Sequence, residues 1–139
     1  IPRSGQIACG FFVTTTLRDM GFRIPRIKWG QQHADYVIHK LTNDIKRFKE
    51  VPIQAIESYI KGKGEGLYIV GLDSHIGYIF YHRGWMRFVH SNYYLPKIGV
   101  MSEDIDSNNP LNRSTIKEIG KIFGPEMAQN WILNTAYSE

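Results

Sequence analysis

Cys9, His75 and His90 are the residues whose types and order suggest chemistry in this sequence. Cys9 stands between Ala8 and Gly10, where a helix is expected to begin. A helix N-terminus stabilises an anion, and the thiolate is the reactive form of cysteine. At an ordinary pKa of about 8.5 only a few per cent of a thiol is ionised near neutral pH. Lowering it by two to three units takes roughly 3–4 kcal/mol, and a helix end supplies about 2 at best. A cationic partner must therefore provide the rest. His75 opens the run His75-Ile76-Gly77-Tyr78-Ile79-Phe80, a strand start from which an imidazole can take the thiol proton and later return it to a leaving amine. His90 closes the run Arg87-Phe88-Val89-His90-Ser91-Asn92. A hairpin centred near Arg83 sets His75 and His90 at nearly paired positions, with Cβ atoms ~5 Å apart. His90 then orients the first imidazole, as the third member of a triad does, with Asn92 on the same face as its substitute. Taken singly, each has a plainer reading: Cys9 as a small buried hydrophobe, the histidines as hydrogen-bonded structural residues.

These residues need elements to hold them. Phe12, Val13, Leu17 and Met20 form the stripe of a helix from about Cys9 to Met20, stopped by Gly21. Ala34, Val37, Ile38, Leu41, Ile45 and Phe48 predict a second helix over about Gln31 to Phe48, whose Lys40, Lys46, Arg47 and Lys49 form a solvated face. Pro52 suits the first turn of a third helix with Ile53, Ile56 and Ile60 buried. After Gly62, Gly64 and Gly66 the period changes to strands at Leu67–Leu72, His75–Tyr81 and Trp85–Asn92, with a turn at His82-Arg83-Gly84 and a fourth run at Lys97–Met101. Glu103 to Asn112 reads as a loop. Thr115 and Glu118 have capping-box spacing, so Ile116, Ile119 and Ile122 predict another helix, and Met127 to Leu133 a last one. Helices followed by an antiparallel meander make an α+β fold over 1–139, a single domain.

Composition limits what such a domain does. The chain has 139 residues, 42% hydrophobic and 22% charged, too apolar for intrinsic disorder and long enough for a core without staples. One cysteine excludes a disulfide framework and a cysteine zinc finger. No window is apolar enough for a membrane span. Cys9, Asp73, His75 and His90 lack any zinc-ligand signature, and Gly62-Lys63-Gly64-Glu65-Gly66 lacks phosphate-loop spacing, so neither metal nor cofactor is expected. His33 and His39 are given no role. The net charge of +4 and pI near 9.2 favour anionic surroundings, although no nucleic-acid patch is read from them. The chain starts at Ile1 with no charged-then-apolar signal peptide after it, so a truncated or processed N-terminus is expected, from which a targeting signal could have been removed.

Ala8-Cys9-Gly10-Phe11-Phe12-Val13, then His75-Ile76-Gly77-Tyr78-Ile79, then Phe88-Val89-His90-Ser91 together resemble the NlpC-type branch of papain-like cysteine peptidases. That family usually has Asp-Cys-Ser-Gly where this chain has Ala8-Cys9-Gly10-Phe11. The resemblance implies a papain-like fold, with N-terminal helices packed on a small antiparallel sheet or half-barrel. It implies Cys9 as nucleophile, His75 as general base and acid, and His90 as the orienting residue of an amide hydrolase. A peptide or peptidoglycan-type substrate and a cell-envelope or secreted location follow from the same resemblance. A catalytically silent binding module, with Tyr78, Trp85, Tyr93 and Tyr94 as its aromatic supply, and a secreted amidase toxin are the other readings.

Overall fold

The chain folds around one sheet, which a strand from before and a strand from after its central meander complete. In this computed structural model residues 2–91 and 100–139 are described, with the backbone alone for residues 2–9. Among them lie α1 (Pro2–Asp19), α2 (Arg26–Gly30), α3 (Ala34–Leu41), β1 (Ile45–Lys49), α4 (Ile53–Lys63), β2 (Gly66–Gly71), β3 (Ile76–His82), β4 (Trp85–Ser91), β5 (Val100–Asp104), α5 (Pro110–Arg113), β6 (Ile116–Lys121) and α6 (Pro125–Ile132). The six strands run in the order β1-β6-β2-β3-β4-β5, each antiparallel to its neighbours. The architecture is mixed α and β, and the sheet is open.

Successive strand side chains point to opposite faces, and here both faces are covered. Ile69 and Tyr78 meet Val13 and Leu17 of α1, Trp29 of α2 and Val37, Ile38 and Leu41 of α3. On the other face Tyr68, Val70, Ile79, Phe88 and Ile119 meet Ile53, Ile56 and Ile60 of α4 and Leu111 of α5. Tyr78 is core rather than a ligand-stacking surface: its hydroxyl lies 2.7 Å from Thr16 Oγ1 and donates to Val13 O at 3.0 Å, fastening α1 to β3. Burial pushes that phenol's pKa up.

One expected helix is a strand, and another is a helix only as far as α3 and ends in a strand. The second helix stops at Leu41, and Ile45 to Phe48 belong to β1, so Lys46, Arg47 and Lys49 lie along an exposed sheet edge, not a helix face. The run Ile116, Ile119, Ile122 is not a capped helix; it forms and follows β6. The cause is the same in both places. Residues three apart sit on one side of a helix but on opposite sides of a strand. Ile45 packs with the first cluster and Phe48 with the second; Ile119 packs with the second and Ile122 with the first. A sheet covered on both faces accepts that pattern.

The remaining elements follow their local signals. The third expected helix is α4, ended by Gly64 at φ 103°, and the last is α6. The β3–β4 turn is Arg83-Gly84 between the paired residues His82 and Trp85, with φ of 48° and 82°, the left-handed pair of a type I′ hairpin. The expected fourth strand begins later: β5 starts at Val100, runs through Glu103 and Asp104, and leaves the Lys97 end of the run outside the described residues. The expected loop contains α5, capped where the Asn109 side chain accepts the Asn112 N–H at 2.9 Å.

Candidate active site

Asp73 holds the turn that delivers His75. The Leu72 N–H donates to His75 O at 2.8 Å, closing the β2–β3 connection. The Asp73 carboxylate then accepts the Thr115 and Ile116 N–H groups, each at 2.8 Å, which bolts this turn to the start of β6. These two donors, Ile116 foremost, hold the Asp73 carboxyl below its ordinary range. They also explain why Thr115 caps nothing: its backbone is engaged by a side chain 42 residues away.

His75 directly precedes β3 and is 6% exposed, while His90 on β4 is 1% exposed. Tyr78 pairs with Val89, so one step along each strand sets Gly77, not His75, opposite His90. The near-pairing expected from sequence is thus offset by two residues. Gly77 makes up the difference. A Cβ there would come within 2.8 Å of Val89 O and 3.0 Å of His90 Cβ, so a larger residue would occupy the space His90 uses to reach His75. His75 Nε2 lies 2.7 Å from His90 Nδ1, the rings edge to face at 79°. His90 is stacked on Phe88 with centroids 4.3 Å apart.

The series continues to a residue expected from sequence to lie in a loop. Glu103 on β5 places Oε2 2.6 Å from His90 Nε2. It stands opposite Phe88, with Met101 opposite His90, and both are half-buried. The alternation within Val100 to Asp104 is one of burial and not of residue type, so no sequence signal pointed to Glu103. Burial first, and then the neighbouring His90, push the His75 pKa down to about 3, so its imidazole is neutral across the physiological range. Nε2 is the ring nitrogen that His75 turns to His90.

Cys9 is not at a helix end. α1 starts at Pro2, a residue favoured in a first turn, and nothing from Arg3 to Ala8 stops a helix, so Cys9 lies two turns inside it. Only the first four N–H groups of a helix lack an internal partner, and the macrodipole effect fades within the first turn. Neither the dipole nor a spare N–H at Cys9 therefore serves an anion. The Cys9 side chain lies outside the described residues, as do Asn92, Tyr93 and Tyr94. Its neighbour Gly10 is described. Gly10 lines a cavity of ≈ 500 Å³ that also has His75, Ser74 and Asp73 on its wall. Gly30 lines it too, meeting Gly10 where α1 and α2 touch backbone to backbone. Gln31, Gln32 and His33, which joins α2 to α3, complete the polar lining. His39 is elsewhere, with Nδ1 donating to Asp35 O at 2.7 Å.

Among the described residues no three His, Cys, Asp or Glu side chains are arranged to hold a metal ion, and both Asp73 oxygens are taken by backbone N–H groups. Nor, among them, is any helix long and apolar enough to cross a membrane. No protein-family model, curated protein or solved structure matches this chain.

Proposed function

We propose that this chain is a thiol hydrolase that cleaves an amide or peptide bond through an acyl-enzyme on Cys9, with His75 as proton carrier and His90 as its orienting partner. The observation that supports this most is His75 itself: a neutral, buried imidazole, backed by His90, on the wall of a cavity that α1 borders at the residue after Cys9. The Cys9 Sγ attacks the substrate carbonyl carbon while His75 Nδ1 takes the thiol proton. The tetrahedral intermediate expels an amine, which receives that proton from His75, and a thioester remains. Water then attacks the thioester, His75 accepts a proton from it, and the acid leaves as the proton returns to sulfur.

With Cys9 inside α1, the roughly 2 kcal/mol assigned to a helix end is absent. A neutral His75 compensates by removing the proton during attack rather than by sustaining a resting ion pair. The papain-like assignment belongs to the same reading. It is supported by the order Cys9, His75, His90 and by a long N-terminal helix packed on an antiparallel sheet. Bacterial cell-wall peptide is the proposed substrate, and envelope or extracellular delivery the proposed setting. The net charge of +4, with Lys46 and Lys49 exposed on the β1 edge, suits a polyanionic wall. The rival binding module retains Trp85, which is 66% exposed beside His82 in the β3–β4 hairpin.

The test is hydrolysis of muropeptides by the wild-type chain, Cys9→Ser and His75→Ala, with intact-mass detection of an acyl group on Cys9. Turnover that both variants abolish is expected, with no loss of rate near pH 6.5, the ordinary imidazole value, because His75 stays neutral down to about 3. Bound muropeptide without turnover, retained in Cys9→Ser, would establish the binding module. Iodoacetamide labelling of Cys9 that His75→Ala leaves unchanged would remove the proposed base.

A further inference from the structure

We infer that Glu103 is a positioning residue of this site: by accepting the Nε2 proton of His90 it fixes the tautomers of both histidines and so decides which nitrogen of His75 serves as the base. The inference rests on the reading of His75 as proton carrier, but the geometry that carries it involves only described side chains. Two short contacts run in series, His75 Nε2 to His90 Nδ1 at 2.7 Å and His90 Nε2 to Glu103 Oε2 at 2.6 Å.

A carboxylate only accepts. His90 must therefore place a proton on Nε2, facing Glu103. In the neutral ring this leaves a lone pair on Nδ1, which accepts from His75 Nε2–H. His75, neutral in turn, carries its lone pair on Nδ1, the nitrogen assigned above to the thiol proton. Each link leaves one orientation for the next. Without an acceptor at position 103, His90 is able to hold its proton on Nδ1 and donate to His75 Nε2, which puts the His75 proton on Nδ1 and disables it as a base. The loss resembles that of a triad whose third member no longer holds the right tautomer.

Glu103 is suited to the task by its surroundings. The strong cation nearby, Arg87, does not compete for it. Arg87 is bound to Asp104 Oδ1 at 2.6 Å and to Ser102 O and Oγ at 2.7 and 3.0 Å, and strand alternation sets Arg87, Ser102 and Asp104 on the face away from Glu103. The His90 ring is clamped from both sides, stacked on Phe88 and edge-on to His75, so it does not turn away. When His75 gains a proton during catalysis, the Glu103 charge lies two hydrogen bonds away and favours the cation.

The experiment is 15N NMR of histidine-labelled full chain at pH 8 for wild type, Glu103→Gln and Glu103→Leu, with iodoacetamide labelling of Cys9 alongside. The wild type is expected to carry its proton on Nε2 in both His75 and His90. Glu103→Gln keeps an acceptor oxygen and is expected to preserve this pattern. Glu103→Leu is expected to shift both rings toward the Nδ1–H form and to slow labelling by about tenfold or more. A wild-type His75 protonated on Nδ1, or a Glu103→Leu spectrum unchanged from wild type, overturns the inference. The spectra judge Glu103 whether or not Cys9 is a nucleophile, whereas labelling indifferent to His75→Ala counts against the thiol hydrolase instead, so the two failures are distinguishable.

Discussion

Gly77 occupies 1 of 139 positions, yet it sets the distance between two histidines. An added methyl there would lie 2.8 Å from Val89 O, a backbone atom that moves only if β4 moves with it. Gly77→Ala is accordingly expected to cost roughly 1–3 kcal/mol in denaturant unfolding, as overpacked sites do, and to lengthen the His75–His90 contact. An unchanged midpoint together with unchanged histidine 15N shifts would refute that role. Asp73 works from the turn, and its pH dependence has a definite sign. Its folded pKa is depressed by two backbone donors, so its stabilising effect is present above the unfolded carboxyl value and disappears as pH falls through the lower folded value. Relative to Asp73→Asn, the wild type should show its largest gain in Tm near neutral pH and lose that gain as acid is added below about pH 4. A gain constant from pH 7 to pH 2 would mean that the carboxylate is not what holds the turn. Of the site, His75 and His90 were legible because the strand runs that carry them are short, apolar and bounded by turns. Glu103 was not, since a strand of five alternating half-buried and exposed residues reads as loop when its neighbours are unknown.

At the scale of elements, α4 shows how much stability a correctly read stripe holds. Ile56 and Ile60 are fully buried against β2, β3 and β6, and each such side chain contributes roughly 1.5–3 kcal/mol by leaving water. Ile60→Ala is expected to cost about 2–5 kcal/mol, the cavity included. Because α4 lies on the sheet face opposite α1, the loss should appear as a lower unfolding midpoint with kcat/KM at 25 °C intact; a selective fall in kcat/KM would place α4 within the site. The helix was legible because Pro52, three isoleucines at helical spacing and Gly64 agree with one another. β1 and β6 were not, because period-three isoleucines satisfy a helix locally and only the covered two-faced sheet makes them strands. Cys9 was misplaced for a related reason: the apolar stripe begins near it, whereas the helix begins as soon as nothing prevents one.

For the molecule as a whole, the α+β class could be read from the shift of period after Gly66, but the strand order could not. A meander from β2 to β5 is local, and each hairpin announces the next. What the sequence conceals is that β6 enters between β1 and β2, so that Ile45 pairs with Gly120 and Ile69 pairs with the same residue from the other side. That placement has a consequence for synthesis. Leaving the ribosome, β1 has no mate until the chain has grown by the 75 residues from Ile45 to Gly120, while β2 through β5 are free to join as they emerge. The nascent protein thus passes through a stage with two unmated borders, and the lysines and arginine along β1 guard one of them with charge until the closing strand arrives.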